Sequence, residues 1–171
     1  MRVAQVACFL AKALKAKGFT LDLKLVLASS LLHDITKMDS ITKGLDHAMT
    51  GYRLLMDLGY PRVAELVRQH VYLDQEPNPR LNEAHILSYS DKRVLHTQVV
   101  DLDVRLDDLI RRYGTTKERR ARITKGMEEA RSLEKIIFST LGLYPSYLNR
   151  LNKESSSFDL LDRGMKVDDL K

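Results

Sequence analysis

Two side chains of metal-binding type, His33 and Asp34, lie side by side near the end of the apolar stretch from Leu25 to Lys37. Removing an ionised carboxylate from water costs several kcal/mol unless it is paired or bound to a metal, so a metal ion is one natural compensation. Neighbouring residues on a regular helix point about 100° apart, and both can face one ion only if the helix loosens here. Thr36 and the polar residues after it permit that loosening. The pair alone also fits a C-terminal histidine favoured by the helix dipole, beside a solvated aspartate.

Three further side chains of the same types lie at predicted helix ends: His47, His70 and Asp91. Helical bundles build metal centres from ligands on several facing helices, so this recurrence favours a metal site over the local explanation. Imidazole and carboxylate ligands suit iron, manganese, cobalt, nickel or zinc, and suit magnesium less well where several imidazoles bind. With one cysteine, Cys8, and no CxxC pair, a structural zinc site is not expected. The sequence therefore predicts a centre for a divalent metal ion, and Cys8 is expected to be a small core residue.

The apolar periodicity predicts helices whose ends carry these ligands. In the first half of the chain they run from Val3 to Lys17, from Leu23 to Asp34, from Asp46 to Leu58, and from Pro61 to about Val71. Asp22 and Asp46 are predicted N-caps, and Gly59 is a predicted stop. The Leu23 to Asp34 helix is apolar on more than one face, and we expect it to be the central helix. The polar stretch from Thr36 to Leu45 is predicted to be a loop.

In the second half, two prolines make Tyr72 to Leu81 a predicted loop and the best candidate for a lid over the site. The helices after it are predicted from Glu83 to about Val94, from Asp101 to Tyr113, from a capping box at Thr115 to Glu118 up to about Leu141, and around Ser146 to Asn152. No alternating strand pattern is visible. We therefore predict an all-α bundle of about six to eight helices over residues 1–152, followed by a flexible tail at 153–171.

Length and composition narrow the class of protein. The 171 residues suit one domain, and no stretch approaches the roughly 18 continuous apolar residues of a membrane span. The N-terminal residues also lack the apolar segment of a secretory signal, so we expect a cytoplasmic protein without a membrane partner. A net charge of +5 would serve nucleic acid, a phosphorylated small substrate, or no specific partner.

The positions of the Lys and Arg residues along the chain indicate which of these partners is favoured. Four of them are interleaved with glutamates, a pattern typical of a solvated, ion-paired face: Arg119, Arg120, Arg122 and Lys125. Five others lie near the candidate ligands and are better placed to contact a phosphate: Lys37, Lys43, Arg68, Lys92 and Arg93. The chain has neither an aromatic platform nor a recognised reading motif, so nucleic-acid binding ranks last.

Four segments taken together resemble one known family: LLHDITK, DHAMTGYRLLMDLGYPRVAELVRQH, AHILSYSDKRV and VDLDVRLDDLIRRYG. They are similar to the HD-domain metal-dependent phosphohydrolases, in particular the HDIG subgroup, over most of residues 3–113. The resemblance implies a helical bundle with an H…HD…D metal centre, and a second ion in members with two more histidines. Carried over to this chain, the resemblance implies that His33 and Asp34 are the HD pair and that Asp91 is the closing aspartate. It also implies that Asp34 can bridge two ions and that His47 and His70 hold the second one.

Two departures from the family pattern accompany this resemblance. The family's first histidine would fall just upstream of Met1, so we expect either that the chain is a fragment or has a misplaced start, or that the first ion has one ligand fewer. Thr36 replaces the customary glycine of the motif, which could tighten the loop without touching the chemistry. His85 and His96 are not expected to be ligands.

The leading functional prediction is a phosphohydrolase that cleaves a phosphoester of a nucleotide or another small phosphorylated metabolite. Water activated by metal, with its pKa lowered toward neutrality, would attack phosphorus, and the ions with Lys37 or Lys92 would offset the charge on the phosphoryl oxygens. Asp34 and Lys37 are the predicted catalytic residues. The alternative is a degenerate HD domain that serves as a regulatory or ligand-binding module within a larger protein. The sequence leaves the natural substrate, the metal and the oligomeric state open.

Overall fold

The computed structural model describes residues 1–74 and 80–153, and within them the protein is an all-α bundle, as predicted. Eight α-helices follow one another: α1 (Arg2–Ala16), α2 (Leu23–Leu32), α3 (Lys37–Lys43), α4 (His47–Asp57), α5 (Pro61–Gln69), α6 (Glu83–Lys92), α7 (Leu102–Tyr113) and α8 (Lys117–Leu141). A 3₁₀ helix, Pro145–Lys153, ends the described part. The middle of the predicted lid, residues 75–79, and the predicted tail from residue 154 onward lie outside the described residues.

Helix α1, and not α2, lies at the centre of the bundle, so the prediction of a central α2 is wrong. α1 packs against α2, α6, α8 and the 3₁₀ helix, and its Val6, Leu10 and Leu14 are fully buried. α2 turns one face to solvent, where Leu31 is 42% exposed. The apolar residues of α2 would allow it to pack on several sides. Its sequence does not determine how many helices surround it, and in the structure they cover only part of its surface.

Local capping signals fix where the helices that carry the ligands begin. The Asp22 carboxylate accepts hydrogen bonds from the backbone N–H groups of Lys24 and Leu25 at the start of α2. The Asp46 carboxylate does the same for Ala48 and Met49 at the start of α4. These bonds satisfy amides that have no partner inside the helix, which is why both caps were predicted.

Helix α3 occupies the stretch from Thr36 to Leu45, where a polar loop was predicted. Its only buried residue is Ser40, while Met38 is 74% and Ile41 is 53% exposed. The helix ends at Gly44, whose φ of 65° lies in the left-handed region that glycine adopts freely. The prediction failed because α3 has no buried apolar stripe, and that stripe is the signal by which a helix is identified in a sequence.

Two smaller departures occur in the second half. A two-stranded antiparallel hairpin, β1 (Val94–Leu95) and β2 (Gln98–Val99), follows α6. It is too short to show an alternating pattern. The cap of α8 is Thr116 instead of Thr115, with its hydroxyl accepting a hydrogen bond from the N–H of Arg119. None of the helices in the described ranges is long and apolar enough to cross a membrane.

Candidate metal centre

The helix that carries His33 and Asp34 ends immediately before them. α2 stops at Leu32, and residues 33–36 form a tight turn into α3. In that turn the N–H of Ile35 donates to the Leu32 carbonyl at 3.0 Å, which is a hydrogen bond over three residues instead of four. This is the loosening that the sequence required if both side chains were to face one place.

Two histidines, one at the start of α4 and one at the end of α5, lie close to Oδ1 of Asp34. Asp34 Oδ1 lies 3.4 Å from His47 Nε2 and 3.7 Å from His70 Nε2, and the two ring nitrogens are 3.1 Å apart. His47 is the first residue of α4 and His70 directly follows α5, so the three side chains come from three separate elements. Their ligand atoms all lie within 4.8 Å of one another, close enough to hold one metal ion. We call these three residues the Asp34–His47–His70 group.

The other oxygen of the same carboxylate faces a second set of side chains. His33 Nε2 lies 3.5 Å from Asp34 Oδ2 and 3.5 Å from Asp91 Oδ1. Asp91 lies in the last turn of α6, which adds a fourth element to the site. The structure therefore brings all five predicted ligands together, with Asp34 common to both sets. Their role as metal ligands stays a prediction.

Backbone carbonyls orient two of the histidine rings. His33 Nδ1 lies 2.8 Å from the Ser30 carbonyl, and His70 Nδ1 lies 2.6 Å from the Val67 carbonyl. A carbonyl only accepts, so each Nδ1 must carry the proton, and each Nε2 presents a lone pair when the ring is neutral. Such a bond at the far nitrogen is the usual outer contact of a metal-binding histidine. The sequence could have revealed it, because each carbonyl belongs to the residue three positions earlier on the preceding helix.

The side chain of Thr36 holds the third histidine. Thr36 Oγ1 donates to the His47 carbonyl at 2.9 Å and so ties the turn after α2 to the start of α4. A Cβ at Gly51 would lie 3.0 Å from a Val67 methyl and 3.5 Å from Thr36 Oγ1, so α4 and α5 approach closely here because residue 51 is glycine. The residue that replaces the customary motif glycine was expected only to tighten its own loop, and its hydrogen bond to the His47 carbonyl was not predicted.

The carboxylates of the site are held ionised. Burial would raise the pKa of Asp34, but the nearby rings of His70 and His33 and the ammonium of Lys37 outweigh it and lower the pKa well below its usual range. Burial would also raise the pKa of Asp91, but the hydrogen bond and the charge of His33 outweigh it, and the net shift of the pKa is strongly downward. Both groups therefore carry negative charge at neutral pH, as a metal ligand must.

The pKa values of His33 and His47, which lie on opposite sides of the Asp34 carboxylate, are shifted in opposite directions. Burial lowers the pKa of His33, but its hydrogen bond to Asp91 and the charges of Asp91 and Asp34 reverse this, so the net shift is upward. The pKa of His47 is lowered by burial and by the neighbouring charge of His70. One histidine of the site thus tends to hold a proton, and the other tends to be neutral.

The donor set fits a divalent metal ion. Asp34 Oδ1 is buried and makes no hydrogen bond to any residue of the described part, although two imidazole nitrogens lie within 4 Å of it. The His70 Nε2 lone pair faces His47 Nε2 at 3.1 Å, an arrangement that requires a proton or a cation between the rings. Three imidazoles and two carboxylates are the ligands of iron, manganese, cobalt, nickel and zinc sites.

The predicted cations divide between those that reach the site and those that do not. Lys37 Nζ lies 2.6 Å from Asp34 Oδ2, so this predicted catalytic residue is in the site. Lys43 is exposed at the far end of α3. Arg68 is paired with Glu65 and Asp74. The guanidinium of Arg93 is completely buried against Glu134 at 2.8 Å, so it is not available for a phosphate, contrary to its predicted placement.

Lys92, which was predicted to contact a phosphate, is buried and bonded to acceptors within the protein. Its ammonium is buried and donates to the His70 carbonyl at 3.2 Å, to the Val71 carbonyl at 3.3 Å and to Ser88 Oγ at 2.8 Å. With these acceptors around it, the ammonium points into the protein at the end of α5. The prediction that Lys92 offsets charge on a phosphoryl group is therefore wrong.

Three residues that were not predicted as ligands lie outside the two sets around Asp34. His85 is buried at the start of α6, where its Nδ1 accepts from the Asn82 N–H. His96 is exposed in the hairpin turn. Cys8 is buried on α1, and burial raises its thiol pKa to about 11, which makes it an unreactive core residue.

The comparisons with known proteins agree with this geometry. The family model described as HD domain matches residues 1–94, more than half of the chain. That range contains α1 to α6 and all the side chains of the two sets around Asp34. An uncharacterized protein of Methanocaldococcus jannaschii is 29% identical over 127 residues, which cover 66% of this chain and 72% of the relative. No solved structure matches the chain.

Proposed function

The chain belongs to the HD domain family, and from this membership and the geometry of the site we propose that it is a metal-dependent phosphohydrolase. Its substrate would be a phosphoester of a nucleotide or of another small phosphorylated metabolite. The observation that carries the proposal is the shared carboxylate: Asp34 directs Oδ1 toward His47 and His70, and Oδ2 toward His33. Ions held by these two sets of side chains would supply the paired positive charge that supports in-line displacement at phosphorus.

The residues of the chain have distinct parts in this proposal. His47 and His70 would hold one ion with Asp34, and His33 and Asp91 would hold the other. The ions, when bound, supply Lewis acidity at the phosphoryl group and lower the pKa of water toward neutrality. Because the carboxyl groups are ionised and two histidines have a fixed Nδ1–H, the ligands need little rearrangement before they bind.

Lys37 is the residue that we propose to contact the substrate. Its side chain is 33% exposed, and its ammonium already lies at the edge of the site beside Asp34. A flexible lysine at this position can move from the carboxylate to a phosphoryl oxygen and offset the negative charge that develops there. A phosphorylated substrate also agrees with the net charge of +5.

The test combines metal content with turnover. The purified protein is analysed for bound metal, then assayed with a generic phosphoester and a panel of nucleotides in added manganese, iron or cobalt. We expect bound metal and metal-stimulated release of phosphate. The variant Asp34→Asn should lose both, whereas Asp39→Asn, an exposed aspartate on α3, should lose neither. Metal-independent activity, or full activity in Asp34→Asn, would exclude the proposal.

A regulatory or ligand-binding module is the second candidate, and one contact favours it. The Lys37 ammonium already neutralises Asp34 Oδ2 at 2.6 Å, so a cation is present on this oxygen without any metal. A module of this kind would bind one ion at the Asp34–His47–His70 group and a phosphorylated ligand without cleaving it. Tight nucleotide binding by the metal-loaded protein, with no product after prolonged incubation, would favour this candidate.

A further inference from the structure

Lys92 is a buried lysine whose hydrogen bonds all serve the protein interior. It is the last residue of α6 and follows Asp91 directly. Its ammonium reaches across to the end of α5 and donates to the carbonyls of His70 and Val71 at 3.2 and 3.3 Å. A third bond at 2.8 Å goes back to Ser88 Oγ on its own helix. Burying an ammonium is costly unless it is well paired, so these contacts define what the residue does.

The end of α5 is a place where a cation is needed. α5 has nine residues, and the carbonyls at its C-terminus have no partner within the helix and lie at the negative end of its dipole. Lys92 brings positive charge close to that end and donates its hydrogen bonds to the carbonyls of the next two residues, His70 and Val71. α8 covers the lysine stem from outside, since a Cβ at Gly126 would lie 3.8 Å from Lys92 Cε. The ammonium therefore has a fixed position between α5, α6 and α8.

One of the carbonyls that Lys92 holds belongs to His70, the residue whose ring enters the site, and the other belongs to the next residue. The ring of His70 is oriented by its Nδ1 contact to the Val67 carbonyl at 2.6 Å. Its backbone is held by Lys92. With both in place, His70 Nε2 lies 3.1 Å from His47 Nε2. His33 lacks this second restraint, because its end of α2 is held by the turn into α3.

We infer that Lys92 is a positioning residue for His70: by holding the carbonyls of His70 and Val71, directly after α5, it sets the place of His70 Nε2 and thereby the metal affinity of the Asp34–His47–His70 group. The part that concerns metal rests on the proposed function. The part that concerns the position of His70 does not, because it describes contacts within the protein itself. α6 thus contributes to both sets, with the Asp91 side chain to one and the Lys92 bonds to the other.

The first experiment needs no metal. The protein is labelled with ¹⁵N-histidine, and the ring signals of His70 and His33 are compared between the wild type and Lys92→Met, which keeps the length of the side chain and removes its donors. We expect the Nδ1–H of His70 to exchange faster and its ring shifts to move, while those of His33 stay unchanged. The matched control is Ser88→Ala, which removes one acceptor of Lys92 but leaves its bonds to α5, and it should preserve the His70 signals.

Two outcomes decide against the inference. Unchanged His70 signals in Lys92→Met would show that α5 needs no tether. Equal changes at His33 and His70 would show a general loosening instead of positioning. If Lys92→Met does not fold, Lys92→Gln, which is shorter and uncharged but keeps an amide NH₂ group as a donor, is measured in its place, with the same two histidines compared.

The second experiment measures metal directly. The metal-free wild type and Lys92→Met are titrated with Co²⁺ and followed by its ligand-field absorption. We expect the affinity of one ion to fall by about tenfold or more, the effect of losing an outer contact to a metal ligand, while the other ion is unaffected. Equal affinities in the two proteins would overturn the inference. If the wild type itself binds no metal, the proposed function fails, and the histidine spectra still decide the role of Lys92.

Discussion

The Nε2 atoms of His47 and His70 lie 3.1 Å apart, although the two histidines are separated by 23 positions in the sequence. His47 begins α4 and His70 follows α5, and these two helices pack closely together. The antiparallel return of the chain between them therefore brings a helix start and a helix end to the same place. That placement gives Asp34 two imidazole partners.

Replacing His47 tests this group directly. We expect His47→Gln to lose one bound ion, with a fall in affinity larger than the roughly 10–100-fold caused by losing an outer contact. Metal content and a competition titration with a chelator measure the effect. The control is His96→Asn, because His96 is exposed with a φ of 55° and asparagine tolerates that conformation. Equal metal content in the wild type and His47→Gln would contradict the assignment.

Lys37 should affect turnover and metal binding in opposite directions. In the proposed function its ammonium, which lies on Asp34 Oδ2, would compete with a metal ion for that oxygen, so Lys37→Met should bind metal at least as tightly as the wild type. Removing a cation that stabilises the transition state should lower kcat by about 10²–10³. Lys43→Met, at the exposed end of the same helix, should change neither quantity. A loss of metal from Lys37→Met would show that the lysine is needed to build the site.

Metal binding should release protons, and the number should depend on pH. The pKa of His33 is raised above its ordinary 6.5, since Asp91 and Asp34 outweigh the effect of burial. The metal-free protein therefore keeps a proton on His33 to a higher pH than usual, and an ion must displace it. Apparent affinity should fall as the pH falls, and this fall should begin above 6.5.

Calorimetric titrations in two buffers of different ionisation enthalpy count these protons. More protons should be released at about pH 6 than at about pH 8. In Asp91→Asn the first source of the upward shift is gone, so the pKa of His33 should be lower than in the wild type and fewer protons should be released for each bound ion. A proton count that does not vary with pH would contradict the shift.

The buried pair of Arg93 and Glu134 should govern stability and leave metal binding unchanged. Arg93 is completely buried, and it also donates to the Val100 carbonyl and the Tyr89 hydroxyl, both at 2.7 Å. Arg93→Met leaves the Glu134 carboxylate partly buried without its partner, which should cost about 3–5 kcal/mol of the free energy of unfolding.

Denaturant unfolding checks this prediction. The matched control is Arg131→Met, which breaks an exposed pair with Asp103 and should cost no more than about 1 kcal/mol. Metal content should be the same in both variants. If Arg93→Met lost metal but kept its stability, the arginine would belong to the site after all.

Much of this protein was determined by short stretches of its sequence. The caps at Asp22 and Asp46 and the first-turn proline at Pro61 act over three or four residues, and the helices begin where they predicted. The types of the five candidate ligands were also visible in the sequence, because a buried ionisable pair needs a compensating group wherever it folds. The helix was predicted to run to Asp34 and to loosen at this end, and α2 stops two residues earlier, at Leu32.

Tertiary structure decided what the sequence left equivalent. Lys37 and Lys92 are both lysines next to candidate ligands, yet the first lies on Asp34 and the second is buried at the end of α5. α1 is central instead of α2, and α3 is a helix without a buried apolar stripe. The physical reason is the range of the interactions. A cap is satisfied within one turn of the chain, whereas the partner of a long side chain depends on which helix packs beside it.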